Sequence, residues 1–232
     1  MCHDDSVKKL YRRTQKKEPL ITTPIPERPW QRISMDICDF QNNHYLIVSD
    51  FFSRYIEMIN LQKDMTSQKV ITALKGIYAC WGIPETVVSD NRPQFASRQF
   101  TLFASEYGFQ HVTTSPHYPQ GNGEAERAVQ TAKTMLRQND PVLALMIYRS
   151  TPIEATGYSP AQMIMGRQPR TTLPTLAKKL QPKWLDMHKV KDNDTVAKKR
   201  YEHFFNQGHG VKTLSNLKPE DTVRIKTSHD KV

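Results

Sequence analysis

Three consecutive runs of alternating apolar residues, followed by helix-period and strand-like segments in alternation, constrain this chain more than any other feature of its sequence. In residues 31–40, Ile33, Met35 and Ile37 occupy every second position; a second run covers 44–49, and Asp50, Phe51, Phe52 and Ser53 lead from it into a third over 54–60. A period of two predicts three antiparallel strands. Val70, Ile71, Leu74, Ile77, Tyr78 and Trp81 then recur at helical spacing, with Ser67 as the expected N-cap and Gly82 with Pro84 as the stop. A short strand over 86–89 ends at Asp90. A helix over 97–107 sets Phe100, Phe103, Ala104 and Tyr107 on one side and stops at Gly108, and another short strand covers 110–114. Residues 115–123, rich in proline and glycine, read as a loop. Ala125, Ala128, Val129, Ala132 and Leu136 mark an amphipathic helix, and 141–149 reads as one more. This order predicts an α/β fold, a mixed sheet flanked by helices, that buries most of residues 31–165.

Charge is distributed differently from hydrophobicity. The net charge of the 232 residues is +10, yet residues 31–177 carry 13 basic and 12 acidic groups, while 1–30 carry 7 and 4 and 178–232 carry 13 and 7. A neutral middle with basic N- and C-terminal extensions suits a globular core whose flanks grip a phosphate backbone; solvated basic tails are the plain alternative. Hydrophobic residues are 38% of the chain, below the usual ~45–50%, and the poorly packing part is expected at the ends. Residues 1–28, with paired cations at 8–9, 12–13 and 16–17 followed by prolines, read as an arm, and the domain boundary falls near Trp30. Residues 178–212 are charged and are expected to form a long helix with little apolar face to hold it; 217–226 begin a strand-like pattern. Cys2, Cys38 and Cys80 are too few and scattered for a disulfide framework. The longest apolar runs fall far short of the ~20 residues that span a bilayer, so a soluble protein with no membrane partner is expected.

Three carboxylates stand where this layout makes chemistry plausible. Asp36 sits inside the first strand, Asp90 at the C-terminal end of the next buried strand, and Glu126 on the first turn of the helix after the loop. Ligands bind at strand ends in α/β sheets, and an acid inside an apolar strand needs something to offset its charge, which a divalent cation does directly. Two Mg²⁺ or Mn²⁺ ions about 3.5–4 Å apart, bridged by one carboxylate and held by the others, activate a hydroxyl on one side of a phosphodiester and stabilise the leaving oxygen on the other. Each acid also has an ordinary reading: a turn residue for Asp90, a helix N-terminal acid for Glu126, a paired strand residue for Asp36. Asp39 and Asp50 compete for the first place and Glu124 for the third. Glu126, Gln130, Lys133 and Arg137 share the helix face opposite the alanine stripe, where a cation two turns from the glutamate is placed to hold a DNA phosphate.

Three segments carry a resemblance: Pro29 and Trp30 through Asp36; Gly82-Ile83-Pro84 to Ser89-Asp90-Asn91-Arg92-Pro93-Gln94-Phe95; and Ser115-Pro116-His117-Tyr118-Pro119-Gln120-Gly121-Asn122-Gly123 to Glu126-Arg127. They resemble the integrase catalytic core of Ty3/gypsy-type retrotransposons and retroviruses. Thirty-five residues lie between Asp90 and Glu126, which is that family's D,D(35)E spacing. Downstream, Tyr148-Arg149-Ser150-Thr151-Pro152, Thr156-Gly157-Tyr158-Ser159-Pro160 and Gly166-Arg167 resemble the segment that follows the core in gypsy-type elements, so the likeness covers about residues 29–170. It implies a ribonuclease H-like fold with Asp36, Asp90 and Glu126 as catalytic and metal-binding triad for two Mg²⁺ or Mn²⁺ ions. It also implies a loop closing over the site, with Gln120, Asn122, Lys133 and Arg137 toward DNA. The implied reaction trims a cDNA 3′ end and joins it to target DNA. Cytoplasmic synthesis, import to the nucleus with Lys198-Lys199-Arg200 as a weak signal, and a homo-oligomer of at least two copies follow from it.

The chain departs from the pattern in three places. Met1-Cys2-His3 resembles the last remnant of a zinc-binding domain and supplies too few ligands for a structural zinc. Residues 217–232 resemble the start of a DNA-binding barrel, and 171–216 a basic helical extension before it. Where the family has glycine after Ser89-Asp90-Asn91, this chain has Arg92. If that position needs positive φ, arginine adds strain of roughly 1–3 kcal/mol; its cation competes with metal for Asp90, or points outward and binds phosphate. A silenced, domesticated or truncated DNA-binding relative is therefore the alternative to an active transferase. A nuclease of RNA hybrids on the same sheet is a third reading, against which the motifs at 116–123 and 148–166 argue.

Overall fold

Gln41 and Asn42 both adopt left-handed backbone, with φ of 47° and 59°, and this two-residue turn folds β1 (Arg32–Phe40) back on β2 (Asn43–Asp50). Such turns match the twist of the strands they join, and the antiparallel register runs from Phe40 opposite Asn43 to Ile33 opposite Asp50. The computed structural model describes residues 24–114 and 123–211; the first arm residues, the loop at 115–122 with Gln120 and Asn122, and the strand-like pattern at 217–226 lie outside them. β2 pairs antiparallel with β3 (Ile56–Gln62) across a bulge at His44 and Tyr45. The other edge of β1 takes β4 (Thr86–Ser89) in parallel, and β4 takes β5 (Gln110–Thr113) in parallel, giving the order β3-β2-β1-β4-β5.

Parallel neighbours require crossovers, and helices supply them: α1 (Ser67–Trp81) before β4, then α2 (Pro93–Ala96) and α3 (Arg98–Tyr107) before β5. One cap and one helix start differ by one residue from expectation. Thr66, not Ser67, caps α1 by accepting from the Lys69 N–H at 3.3 Å, and Ser97 is the cap of α3, accepting from the Phe100 N–H at 3.1 Å. A cap must keep extended backbone outside the helix, so the residue just before the periodic pattern takes the role.

The sheet's two faces separate by strand alternation. Ile33, Met35, Ile37, Leu46, Val48 and Val87 face α1 and α3, where Val70, Leu74, Tyr78, Phe100 and Phe103 close the larger core. Cys38, Ile47 and Ile56 face α4 (Gly123–Leu136) and α5 (Pro141–Ser150), meeting Ala128, Val129, Ala132, Met135, Leu136 and Leu145. The alanines let α4 lie close over β1. Asp36, between the inward Met35 and Ile37, therefore belongs to the α4 face.

The corner where the chain enters and leaves this sheet is held by Asp50, which is fully buried. Its Oδ1 accepts from the Trp30 and Phe52 N–H groups at 3.0 and 3.3 Å, and its Oδ2 from the Ser53 N–H and hydroxyl at 2.9 and 2.6 Å. Burial pushes the Asp50 pKa up against these donors. Trp30 sits in left-handed backbone (φ 59°) and donates its indole N–H to the Gly82 carbonyl at 2.9 Å.

The motifs after the core prove to be architectural. Tyr148 donates to the Arg54 carbonyl at 2.8 Å; Arg149 donates to the Ile56 carbonyl and the Glu57 carboxylate and lies 4.3 Å from the Tyr55 ring centroid. Ser159 and Gln162 form a capping box on α6 (Pro160–Met165), which ends at Gly166 (φ 69°). The Trp184 indole would touch a Cβ at Gly166 at 3.4 Å, so both backbone and packing favour glycine there. The expected long helix of 178–212 is instead a short α7 (Ala177–Leu180) and α8 (Met187–Gly208). Its N-terminal part is held where an apolar face was not foreseen: Val190 packs with Phe52 and Met163, and the buried Asp194 pairs with Arg54 at 3.2 Å and Lys198 at 2.6 Å. Ile21–Arg200 form one compact unit, and α8 from Tyr201 onward belongs to a second. Among the described residues no helix is long and apolar enough to cross a membrane.

Asp50→Ala removes the acceptor of three backbone N–H groups and a hydroxyl and should lower unfolding free energy by about 3–5 kcal/mol. Asp50→Asn, which keeps the shape and one acceptor, should cost less. Urea denaturation measures both, and an alanine variant as stable as the parent would show that the corner is held elsewhere.

Candidate active site

Parallel pairing sets Arg32 beside Thr86, Ile33 beside Val87 and Ser34 beside Val88. Carried two residues further, the same offset puts Asp36 beside Asp90, the first residue past β4. The end of β4 is pinned from β5: Thr114 donates its N–H and hydroxyl to the Ser89 carbonyl at 2.8 and 3.1 Å. The buried Ser89 hydroxyl donates to the Asp90 carbonyl at 2.7 Å and meets His111 Nε2 at 2.8 Å. His111 lies against Phe100, with ring centroids 4.8 Å apart, and burial lowers its pKa, so the neutral ring donates to Ser89. This anchor was not legible in the sequence, because β4–β5 pairing alone joins residues 89 and 111.

Between the two aspartates lies Arg92. Its Nε is 3.0 Å from Asp90 Oδ2, its Nη2 3.6 Å from Asp36 Oδ1, and its Nη1 donates to the Ile37 carbonyl at 2.6 Å. Its backbone N–H also donates to Asp90 Oδ1 at 3.2 Å. Asp36 Oδ1 accepts from the Ile37 N–H at 2.7 Å. Burial pushes the Asp36 pKa up; Arg92, the Ile37 N–H and Lys133 pull it down, and Asp90 adds to the rise.

Two expectations for Arg92 are corrected here. Its backbone is extended (φ −64°, ψ 151°), not left-handed, as a following proline requires, so no strain of that kind exists. Its side chain does not turn outward to await a phosphate: the guanidinium faces the carboxylates, with 39% of the side chain exposed.

The other candidates separate cleanly. Asp39 is exposed on the hairpin and pairs with His44 at 2.5 Å, and Asp50 is the buried corner, so of the three first-place aspartates only Asp36 stands by Asp90. Burial pushes the Cys38 thiol up as it does Asp36, and Lys133, half-buried on α4, lies near enough to pull against both rises. Glu126 is exposed on α4, as are Gln130 on the same helix and Arg137 just beyond it. The side chain of Glu124 lies outside the described residues.

Two carboxylates on adjacent strands have the hard-oxygen chemistry of a divalent-cation site. As arranged they do not fit one: Arg92 engages both, Glu126 is not gathered with them, and no group of three His, Cys, Asp or Glu among the described residues is placed to hold a metal. What the site presents is a carboxylate pair whose charge is half compensated from within by Arg92, with a second cation, Lys133, at its border.

Residues 26–119 match the family described as the integrase core domain. Over 169 residues the chain is 36% identical to an uncharacterized protein of Caenorhabditis elegans, covering 68% of this chain and 13% of that protein. It is 30% identical over 142 residues to a Tf2-3 transposon polyprotein of Schizosaccharomyces pombe, covering 59% of this chain and 11% of the polyprotein. The chain thus spans a small part of these relatives. Among solved structures it is similar to a simian T-cell lymphotropic virus intasome in complex with a PP2A regulatory subunit, B56 gamma. That likeness has a TM-score of 0.59 and 21% identity, and covers 75% of this chain and 66% of that one. It concerns the fold alone, as does the likeness to the catalytic core domain of BIV integrase, with a TM-score of 0.50 and 19% identity over 58% of this chain and 93% of that one.

Ser89→Ala removes a buried hydroxyl with two partners and should cost about 1–3 kcal/mol in denaturation. His111→Ala should cost a similar amount, and the double variant less than the sum, since both remove one shared contact.

Proposed function

We propose that this chain is the core of an integrase-type polynucleotidyl transferase of a Ty3/gypsy-like retrotransposon, acting on element cDNA 3′ ends and target DNA. The single observation that carries this reading is Asp36 beside Asp90 at the parallel β1–β4 edge, in a chain whose residues 26–119 match the integrase core domain. In trimming, a water oxygen attacks phosphorus, and in joining the freed 3′ hydroxyl does; each time the bond from phosphorus to the departing oxygen breaks and that oxygen leaves as the 3′ hydroxyl of the cleaved strand, taking up a proton. Asp36 and Asp90, with Glu126, are the catalytic carboxylates of this proposal, and Mg²⁺ or Mn²⁺ is the ion class their oxygens suit. Lys133 holds a phosphate at the border of the pair, and Gln120, Asn122 and Arg137 extend the DNA contact. Joining two ends to one target needs more than one active site, so the working form is a homo-oligomer of at least two copies, and it works in the nucleus.

One observation favours a second reading. The arrangement seen, with Arg92 on both aspartates, suits a silenced relative that binds DNA without joining it. A Mn²⁺-dependent joining and nicking assay on a branched DNA substrate separates the two. A working core loses activity by at least about 100-fold in Asp90→Asn. A silenced one is inert, binds DNA equally with and without Mn²⁺, and keeps that binding in Asp90→Asn. Nicking that survives Asp90→Asn would overturn the transferase reading.

A further inference from the structure

Arg92 spreads its fork over the carboxylate pair and the main chain of β1. Nε meets Asp90, Nη2 faces Asp36, and Nη1 is fixed by the Ile37 carbonyl between them, while its own N–H holds the second Asp90 oxygen. The planar guanidinium has five donors and no acceptor and keeps its charge at all physiological pH values, so it supplies to the pair one of the two positive charges that a bound divalent ion would. Pro93 holds Arg92 extended, two residues from Asp90, which keeps the guanidinium tethered at high effective concentration. Any free cation approaching the pair meets both this competitor and its repulsion.

Resting on the reading of Asp36 and Asp90 as the active-site pair, we propose that Arg92 is a built-in cation that stands in the bridging position between them and closes the site to divalent metal. The side chain is more than one-third exposed, so its withdrawal needs no unfolding. The closure is therefore reversible, and it is local to one side chain. Outside the carboxylates the guanidinium meets the Ile37 carbonyl, one main-chain hydrogen bond, so shortening it should open the site without loss of the sheet.

The test is Mn²⁺ binding to the full chain, read by the electron paramagnetic resonance signal of free ion, for the parent, Arg92→Gly and Arg92→Gln, each with and without Asp90→Asn. Circular dichroism establishes that each variant is folded, and the glutamine variant, which keeps a long side chain ahead of Pro93, carries the test if the glycine variant is not. Opening the site should tighten Mn²⁺ binding at least about tenfold, the modest end of the coupling measured for close charge pairs, and Asp90→Asn should abolish the gain. Equal Asp90-dependent binding by parent and Arg92 variants would overturn the closure while leaving the carboxylate pair as a metal site. Absence of binding in folded Arg92 variants would overturn both the closure and the active-site reading. A gain insensitive to Asp90→Asn would overturn the closure by placing the ion elsewhere.

Discussion

Parallel pairing of β1 with β4 is the constraint on which the rest of the structure depends. The pairing brings the middle of the first strand beside the C-terminal end of the fourth, and thereby Asp36 beside Asp90, which are far apart in sequence. It needs α1 as its crossover and a pinned strand end, which Ser89, His111 and Thr114 provide from β5. It also decides which face the acids occupy: strand alternation turns Ile33, Met35 and Ile37 to the large aromatic core and leaves Asp36 on the side covered by the alanine stripe of α4. An acid on a buried strand would be costly. Here it meets a cation that offsets part of the cost, while burial still holds the Asp36 pKa up.

The cation is a side chain, and magnitudes decide what that means. Asp90 and Arg92 are about one-third exposed, so each ion pair contributes only about 0–1 kcal/mol to stability. The buried corner at Asp50, with four donors on one carboxylate, matters far more to the fold. Arg92 matters instead for what the site can accept. Two carboxylates half compensated by Arg92, with Lys133 beside them, form a much less negative pocket for a divalent ion, and they repel a phosphodiester less. The same contact that weakens the claim to metal chemistry thus favours DNA approach, which is why an active transferase and a silenced DNA-binding relative stand so close together in this chain.

Much of this was legible in the sequence, for identifiable reasons. Strong periodicity gave the three leading strands and α1, α3 and α4, because a half-buried strand and an amphipathic helix each leave a repeat in the order of residues. Asp90 and Asp36 were both visible as acids at strand positions where a charge needs a partner. What was not legible depends on contacts distant in sequence. Asp50 takes its donors from Phe52 and Ser53 nearby and from Trp30, twenty residues away, and only the last, which closes the corner, separates it from Asp36 as a buried acid. The hold on α8 escaped because it rests on contacts distant in sequence, Val190 against Phe52 and Met163 and Asp194 with Arg54, rather than on a continuous apolar stripe. At Arg92 the family pattern suggested a glycine conformation, whereas the local dipeptide with Pro93 dictated extended backbone and aimed the side chain at the acids. Tyr148, Arg149 and Ser159, first noticed as motif residues, act by tying helices to β3 and by capping α6.

The most direct measurement is an anomalous-scattering map from crystals of the full chain equilibrated with low-millimolar Mn²⁺ and without DNA. The account predicts guanidinium density between Asp36 and Asp90 and no manganese peak there. A manganese peak bridging the two carboxylates, with Arg92 turned to solvent, would contradict it.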